Sequence, residues 1–297
     1  MTPVLLIAMM LLGAPALASQ SPAAPPCLEH EIGSGSRGAA SRALGEDASP
    51  AAIIDAASSA IRDKLGLPFS PAYKAYVCSG ETAFTEGLLR HLGVRAVGSD
   101  WRVVPAAVGI ATPVGVFFRG DYLARSALRR RVQLVAHELA HLCQQDLAKH
   151  REDPLPAWMV EGHADWVAFQ TLDLLGLQTY AESRATIVRA VAGAVTPVEH
   201  FPDLDTLADH AAWSRSVRSV PATYGQAFLA VEYLIERSSR AALVKFMGPA
   251  VGASDARDRW VEAFSMPYRE FVNDFRAHLK RVGRPAPGPR VEPKSAP

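Results

Sequence analysis

The sequence predicts an α+β protein in which a small N-terminal sheet with its helices precedes a mainly helical C-terminal lobe. Residues 101–111 and 114–119 are apolar, rich in β-branched side chains and bounded by Pro and Gly, as strands commonly are. From Tyr122 onward, nearly every periodic segment repeats apolar residues at the three- and four-residue steps of a helix. With 297 residues, 49% of them apolar, the chain can bury one large core or two small lobes that share an interface.

The first half of the fold is predicted to begin with a helix over residues 51–65, which ends at Gly66. A short strand over residues 73–78 and a helix over residues 82–92 follow, before the two strands described above. These elements form the first lobe, residues 51–150, of a domain that extends to residue 282.

The second lobe, residues 151–282, is predicted to pack against the longest helix of the chain, residues 123–149. That helix carries an apolar stripe with three- and four-residue spacing, made of Val132, Val135, Leu139 and Leu142. A proline-bounded loop separates it from a helix over residues 157–175. Further helices are predicted over residues 181–191, 222–236, 240–247, 253–264 and 268–282.

Both ends of the chain differ in composition from the domain. Residues 1–18 have an apolar run followed by Ala16-Leu17-Ala18, which predicts a signal peptide cleaved after Ala18 and export to the periplasm or the medium. A membrane anchor is the alternative, but the run is shorter than the roughly 20 residues that span a bilayer, so the mature chain is predicted to have no transmembrane span. Residues 19–50 are predicted to be a loosely held leader, and residues 283–297, with five prolines, a disordered tail.

Charge and cysteine content narrow the possible partners. A formal net charge of +1 does not provide the basic field that binding to nucleic acid requires. In an oxidising compartment Cys27 can pair with Cys78, which leaves Cys143 as a buried thiol. No feature predicts an oligomeric state.

The residues that indicate chemistry begin with His137-Glu138-Leu139-Ala140-His141, inside the longest predicted helix. Four residues advance a helix by about 6 Å and nearly one turn, so both imidazoles leave the same face and can bind one ion. Zinc accepts imidazole nitrogens at about 2.0 Å in a tetrahedral arrangement. Glu138 is rotated to the side, where it can act on a water molecule without binding the metal. The alternative is an exposed helix face that happens to carry two histidines.

The next predicted helix contains two carboxylates in the segment Trp-Met-Val-Glu-Gly-His-Ala-Asp. Glu161 can supply a third metal ligand and leave the fourth position to water or substrate, which is typical of a catalytic site. Asp165 lies one turn further on the same face, where it can accept the second N–H of a bound imidazole. His163 is rotated by about 200° from Glu161, so we expect a structural role for it.

These motifs resemble those of the gluzincin zinc metallopeptidases. The His-Glu-x-x-His helix followed by Glu-x-x-x-Asp is similar to the thermolysin-like enzymes, and Trp-x-x-Glu-Gly-x-Ala resembles the peptidase MA-like proteins. The resemblance implies a zincin-like fold and one zinc ion bound by His137, His141 and Glu161. It further implies that Glu138 is the general base and that Asp165 is the partner of a ligating imidazole.

The resemblance covers residues 135–165 in motif and roughly residues 73–279 in architecture. No Gly-x-Met-Glu-Asn segment precedes the zinc helix, which favours an endopeptidase over an aminopeptidase. The metzincin pattern is also absent, because Leu147 stands where its third histidine would be.

A hydrolase of this type needs a hydrogen-bond donor for the oxyanion that forms during amide hydrolysis. The resemblance implies a tyrosine or histidine in the region of Tyr224, which is our candidate, with His210 and His200 as alternatives. Tyr224 could instead be a core aromatic residue at the start of a helix. The two predicted strands could offer an edge to an extended peptide or protein substrate.

The sequence therefore predicts an exported zinc-dependent peptidase. The main alternative is a non-catalytic, zinc-stabilised module that binds peptides or an envelope protein. A helical exported protein without metal is a third hypothesis.

Overall fold

A computed structural model of the chain describes residues 27–32, 44–68, 70, 72–92, 107–151, 153–249 and 256–283. Within these residues, four strands and eleven helices confirm the predicted α+β class. The predicted signal peptide lies outside the described residues, as do residues 19–26 and 33–43 of the predicted leader and residues 284–297 of the predicted tail.

The strands form one mixed sheet in the order β1-β2-β4-β3. They are β1 (Leu28–Glu31), β2 (Lys74–Cys78), β3 (Gly109–Thr112) and β4 (Gly115–Arg119). The two central strands, β2 and β4, are parallel, and each outer strand pairs antiparallel with its neighbour. Residues 101–106 of the first predicted strand lie outside the described residues, so only its last part can be compared with β3.

From Gly120 onward, every regular element of the described residues is helical, as the sequence predicts. The helices are α1 (Pro50–Ser59, continued by a π-helical turn, Ala60–Lys64), α2 (Glu81–Leu92), α3 (Gly120–Arg125), α4 (Leu128–Ala148), α5 (Ala157–Leu174), α6 (Tyr180–Ala192), α7 (His210–Ser219), α8 (Thr223–Arg237), α9 (Arg240–Met247), α10 (Ala256–Phe264) and α11 (Tyr268–Val282). The sequence did not predict α7.

Strand β1 lies inside the segment predicted to be a loosely held leader, so that prediction is wrong for these four residues. Its backbone pairs with β2, and the predicted disulfide joins Cys27 to Cys78 directly beside the pairing. The four residues Leu-Glu-His-Glu have no apolar alternation, so sequence alone gives little sign of a strand. Cys143 is the free, buried cysteine, as predicted.

The helix predicted over residues 123–149 is divided at Ser126, whose backbone is extended (φ −93°, ψ 143°). The Ser126 hydroxyl donates a hydrogen bond to the Tyr122 carbonyl (2.9 Å), closing α3 before α4 begins. The first N–H of α4, on Leu128, donates to Glu46 (2.9 Å), and the Arg131 guanidinium donates to the Ala48 carbonyl (2.7 Å). Glu46 of the predicted leader therefore satisfies the first N–H of α4, and Ala48 holds the side chain of Arg131 one turn later.

One cluster of buried apolar side chains contains residues of the sheet and of helices from both predicted lobes. The predicted stripe of α4 is fully buried, since Val132, Val135, Leu139 and Leu142 are each 0% exposed. Helix α4 packs against α5, and α5 packs against α8. The last contact depends on Gly162, because a Cβ atom at that position would lie 2.2 Å from the Ala227 carbonyl oxygen.

None of the helices in the described part of the chain combines the length and the apolar composition that crossing a membrane requires.

Candidate metal centre

Three potential metal ligands come together where α4 packs against α5. Helix α4 places His137 Nε2 and His141 Nε2 3.2 Å apart. Helix α5 places Glu161 Oε2 at 3.5 Å from the first nitrogen and 4.0 Å from the second. Ligand atoms at about 2.0–2.1 Å from a tetrahedral zinc ion lie roughly 3.3 Å from one another, so the observed spacings suit one shared ion.

Among the described residues, these three side chains form a group that could hold a metal ion, with ligand atoms all within 4.8 Å of one another. Each side chain is largely buried, with exposed fractions of 15–22%. Helical spacing accounts for the two imidazoles, because His137 and His141 are one turn apart. The carboxylate comes from a separate helix, and its position depends on how the two helices pack.

The electrostatics of the group favour metal binding by Glu161. Burial alone would raise the pKa of Glu161, but hydrogen bonding to His137 and the charges of His141, His137 and His210 outweigh burial and lower it. The carboxylate is therefore held in its ionised form, the form that binds metal. Burial lowers the pKa of His137, but Asp165 and Glu161 outweigh burial and raise the pKa well above its usual value. A proton would therefore compete with any metal ion that binds His137.

Asp165 lies beside the first imidazole, where the sequence predicts a partner of a ligating histidine. Its Oδ1 is 2.9 Å from His137 Nδ1, the nitrogen that points away from the group of ligands. An N–H at Nδ1 leaves the Nε2 lone pair of His137 directed at the metal position.

The second imidazole has a partner that the sequence did not predict. His141 Nδ1 lies 2.8 Å from Gln144 Oε1, and Gln144 Nε2 lies 3.0 Å from His163 Nδ1. His163 is fully buried, as its expected structural role requires, and burial together with His141 lowers its pKa to about 3. The i,i+3 spacing of His141 and Gln144 is the signal that could have identified this contact.

Glu138 is only 8% exposed and lies under strand β3. Burial raises the pKa of its carboxyl group. The nearby imidazoles and a hydrogen bond from the backbone N–H of Ala111 act in the opposite direction. Gly109 packs against the same side chain, since a Cβ atom there would lie 2.7 Å from Glu138 Cγ. The sequence did not predict this strand contact, because nothing local to Gly109 indicates it.

Tyr224 is the second residue of α8, and its side chain remains 41% exposed. Its ring meets that of Trp213 edge to face, with centroids 5.2 Å apart. Partial burial and the charges of Glu161, Asp165 and Glu138 raise the pKa of the phenol, so the structure brings Tyr224 into the electrostatic environment of the candidate site.

The two alternative histidines occupy different settings. His210 is the first residue of α7. Its charge is among the influences that lower the pKa of Glu161, so His210 also belongs to the electrostatic environment of the candidate site. His200 is exposed on the short 3-10 turn Val198–His200, which contacts α11.

Comparison of the chain with protein-family models, with curated proteins and with solved structures finds no match. The relation to the gluzincin peptidases therefore stays a prediction from the motif.

Proposed function

We propose that this protein is an exported zinc-dependent peptidase of gluzincin type, with an active site at the contact between α4 and α5. The observation that carries the proposal is the convergence of His137 Nε2, His141 Nε2 and Glu161 Oε2, each within 4.0 Å of the others, with Glu138 buried beside them. A structural zinc site usually completes its tetrahedron with four protein ligands, whereas this group offers three.

The donor set suits zinc better than calcium or magnesium. Two imidazole nitrogens and one carboxylate match the three-ligand sets of catalytic zinc sites, while calcium and magnesium prefer oxygen ligands. When bound, zinc supplies Lewis acidity that makes water a usable nucleophile near neutral pH.

Glu138 is the proton-transfer group of the proposed reaction. Its raised pKa suits a side chain that must accept a proton from water and then donate it to the departing amine, because such transfers are most efficient when the pKa lies near the working pH. The N–H of Ala111 hydrogen bonds to the carboxyl group and helps to orient it.

Tyr224 is the proposed oxyanion donor. A tyrosine hydroxyl group is protonated at neutral pH, and burial with the charges of Glu161, Asp165 and Glu138 raises its pKa further here, so it can donate a hydrogen bond to the oxygen of the amide under attack. His210, at the start of α7, is the second candidate donor, because its charge is among the influences that lower the pKa of Glu161.

An extended peptide is the proposed substrate. Strand β3 is the outermost strand of the described sheet on the side of β4, and its residues Gly109 and Ala111 contact Glu138. A peptide that paired with β3 would gain backbone hydrogen bonds while its own amide groups ran beside the proposed base.

The test is Glu138→Gln, a substitution that keeps the size of the side chain and removes its proton chemistry. We expect one bound zinc by mass spectrometry, an unchanged fold, and a 10²- to 10⁴-fold fall in cleavage of a randomised peptide library. Glu199→Gln, on an exposed turn, is the matched control and should behave as the native protein.

Two results would contradict the proposal. Cleavage by Glu138→Gln at the native rate would exclude Glu138 as the base. Zinc binding by the native protein without any chelator-sensitive cleavage would favour the non-catalytic, zinc-stabilised binding module instead.

A further inference from the structure

Gln144 connects the two helices that supply the proposed metal ligands. It lies on α4, three residues after His141, and is 4% exposed. Its Oε1 lies 2.8 Å from His141 Nδ1, and its Nε2 donates to the Val160 carbonyl at 2.8 Å. Val160 directly precedes Glu161 on α5, so one side chain contacts a ligating histidine and the residue beside the ligating carboxylate.

The partners determine which way the Gln144 amide faces. A backbone carbonyl can only accept a hydrogen bond, so the amide nitrogen must be the atom that faces Val160. The amide oxygen then faces His141, and because that oxygen can only accept, the proton of a neutral His141 must be on Nδ1. His141 Nε2 is left with its lone pair, 3.2 Å from His137 Nε2 at the metal position.

His163 reinforces this orientation from the other side. It is 0% exposed, and its Nδ1 lies 3.0 Å from Gln144 Nε2. The Gln144 amide nitrogen has two hydrogens, so it can donate to Val160 and to His163 at once. All the hydrogen-bonding groups of the Gln144 side chain that face α5 therefore have partners.

We propose that Gln144 is a positioning residue that holds His141 in the tautomer needed for metal binding and couples it to the Glu161 segment. The inference rests on the proposed function, since it assumes a zinc ion at this site. Asp165 holds His137 in the equivalent way, but with a charged acceptor.

Asp165 is a charged acceptor and Gln144 is a neutral one. The charge of the site and the Val160 carbonyl explain this difference. A zinc ion with the carboxylates of Glu161 and Asp165 sums to zero formal charge, and ionised Glu138 already makes the buried site negative, so a further carboxylate at position 144 would add a second uncompensated charge. A glutamate at position 144 would also lack the N–H groups that now bond to Val160 and His163. A neutral amide can accept from His141 and donate to α5, and a carboxylate can do only the first.

The first measurement needs no variant. In the metal-free native protein at alkaline pH, long-range proton–nitrogen spectra of ¹⁵N-histidine-labelled protein should show neutral His141 protonated at Nδ1, with its signals assigned by their loss in His141→Gln. Protonation at Nε2 would overturn the proposal.

The second measurement is zinc affinity by competition with a chelating dye. Gln144→Met keeps the length and burial of the side chain but removes its acceptor, so zinc should bind about 10- to 100-fold more weakly. Gln145→Met, one residue later on α4, is the matched control and should keep the native affinity. Gln144→Glu retains the acceptor, so His141 should stay protonated at Nδ1 in this variant.

Equal zinc affinities for Gln144→Met and Gln145→Met would overturn the proposal, because a role in packing alone predicts that result. Neither measurement uses turnover. If the native protein binds zinc but cleaves no peptide, the proposed peptidase function fails, while the role of Gln144 is still decided by the tautomer and the affinity.

Discussion

The substitution Gly109→Ala should displace Glu138 without touching the proposed metal ligands. A Cβ atom at Gly109 would lie 2.7 Å from Glu138 Cγ and 3.0 Å from both Cδ and Oε1. Ordinary van der Waals contacts of a Cβ atom begin at 3.4 Å, so the side chain or strand β3 must retreat by most of an ångström. Gly109 does not have the positive φ that strains other residues, so the clash with Glu138 is the main consequence.

The size of the effect follows from that displacement. Misplacement of a catalytic group by about 1 Å costs roughly 100-fold in rate, which corresponds to about 2.7 kcal/mol of transition-state stabilisation. The three nearest atoms to the new methyl group all belong to Glu138, so zinc affinity should not change.

The assay is kcat/KM on a peptide chosen from the library cleavage, together with zinc content by mass spectrometry. Gly80→Ala is the matched control, because a Cβ atom there meets no atom within 4 Å. Activity of Gly109→Ala within about twofold of the control would refute the argument that strand β3 sets the position of Glu138. Loss of zinc would show that the change acts elsewhere.

Three further predictions concern Tyr224, His137 and His163. Tyr224→Phe removes the proposed oxyanion donor, so kcat should fall about 10²- to 10³-fold at unchanged KM and zinc content; a change confined to KM would contradict this role. Because the pKa of His137 is raised, a proton should compete with zinc for this imidazole, and the zinc affinity should fall up to tenfold for each pH unit below that pKa. Competition with a chelating dye from alkaline to acidic pH measures the zinc affinity. An affinity that does not change with pH would contradict the prediction. The folded protein holds His163 neutral down to a pKa of about 3, whereas the unfolded chain binds the proton near pH 6.5, so this residue lowers the free energy of unfolding as pH falls between those values. His163→Gln keeps an acceptor for Gln144 and should reduce the slope of the free energy of unfolding against pH by about 1.4 kcal/mol per pH unit, as measured by urea unfolding of the metal-free protein. Equal slopes for the variant and the native protein would refute the buried neutral state of His163.

Much of the candidate site could be predicted because helix geometry is local. The apolar stripe of α4 predicted the helix, and the four-residue interval between His137 and His141 then required their imidazoles to share a face. The same reasoning placed Glu161 and Asp165 one turn apart on α5, where both now face the histidines.

Contacts between distant segments could not be predicted in this way. Strand β1 has no apolar alternation, and its place in the sheet depends on pairing with β2 and on the Cys27–Cys78 disulfide. The division of the predicted long helix at Ser126 depends on a hydrogen bond to the Tyr122 carbonyl and on residues of the leader that satisfy the start of α4.

Periodicity and backbone geometry act over three or four residues, so the order of amino acids is enough to predict most of the helices and the helix faces that carry the candidate ligands. Tertiary packing is what places Gly109 against Glu138, Gln144 in hydrogen-bonding contact with Val160, and α8 against α5 at Gly162. These contacts join segments at least sixteen residues apart in the chain, and they depend on how the core packs rather than on any local pattern.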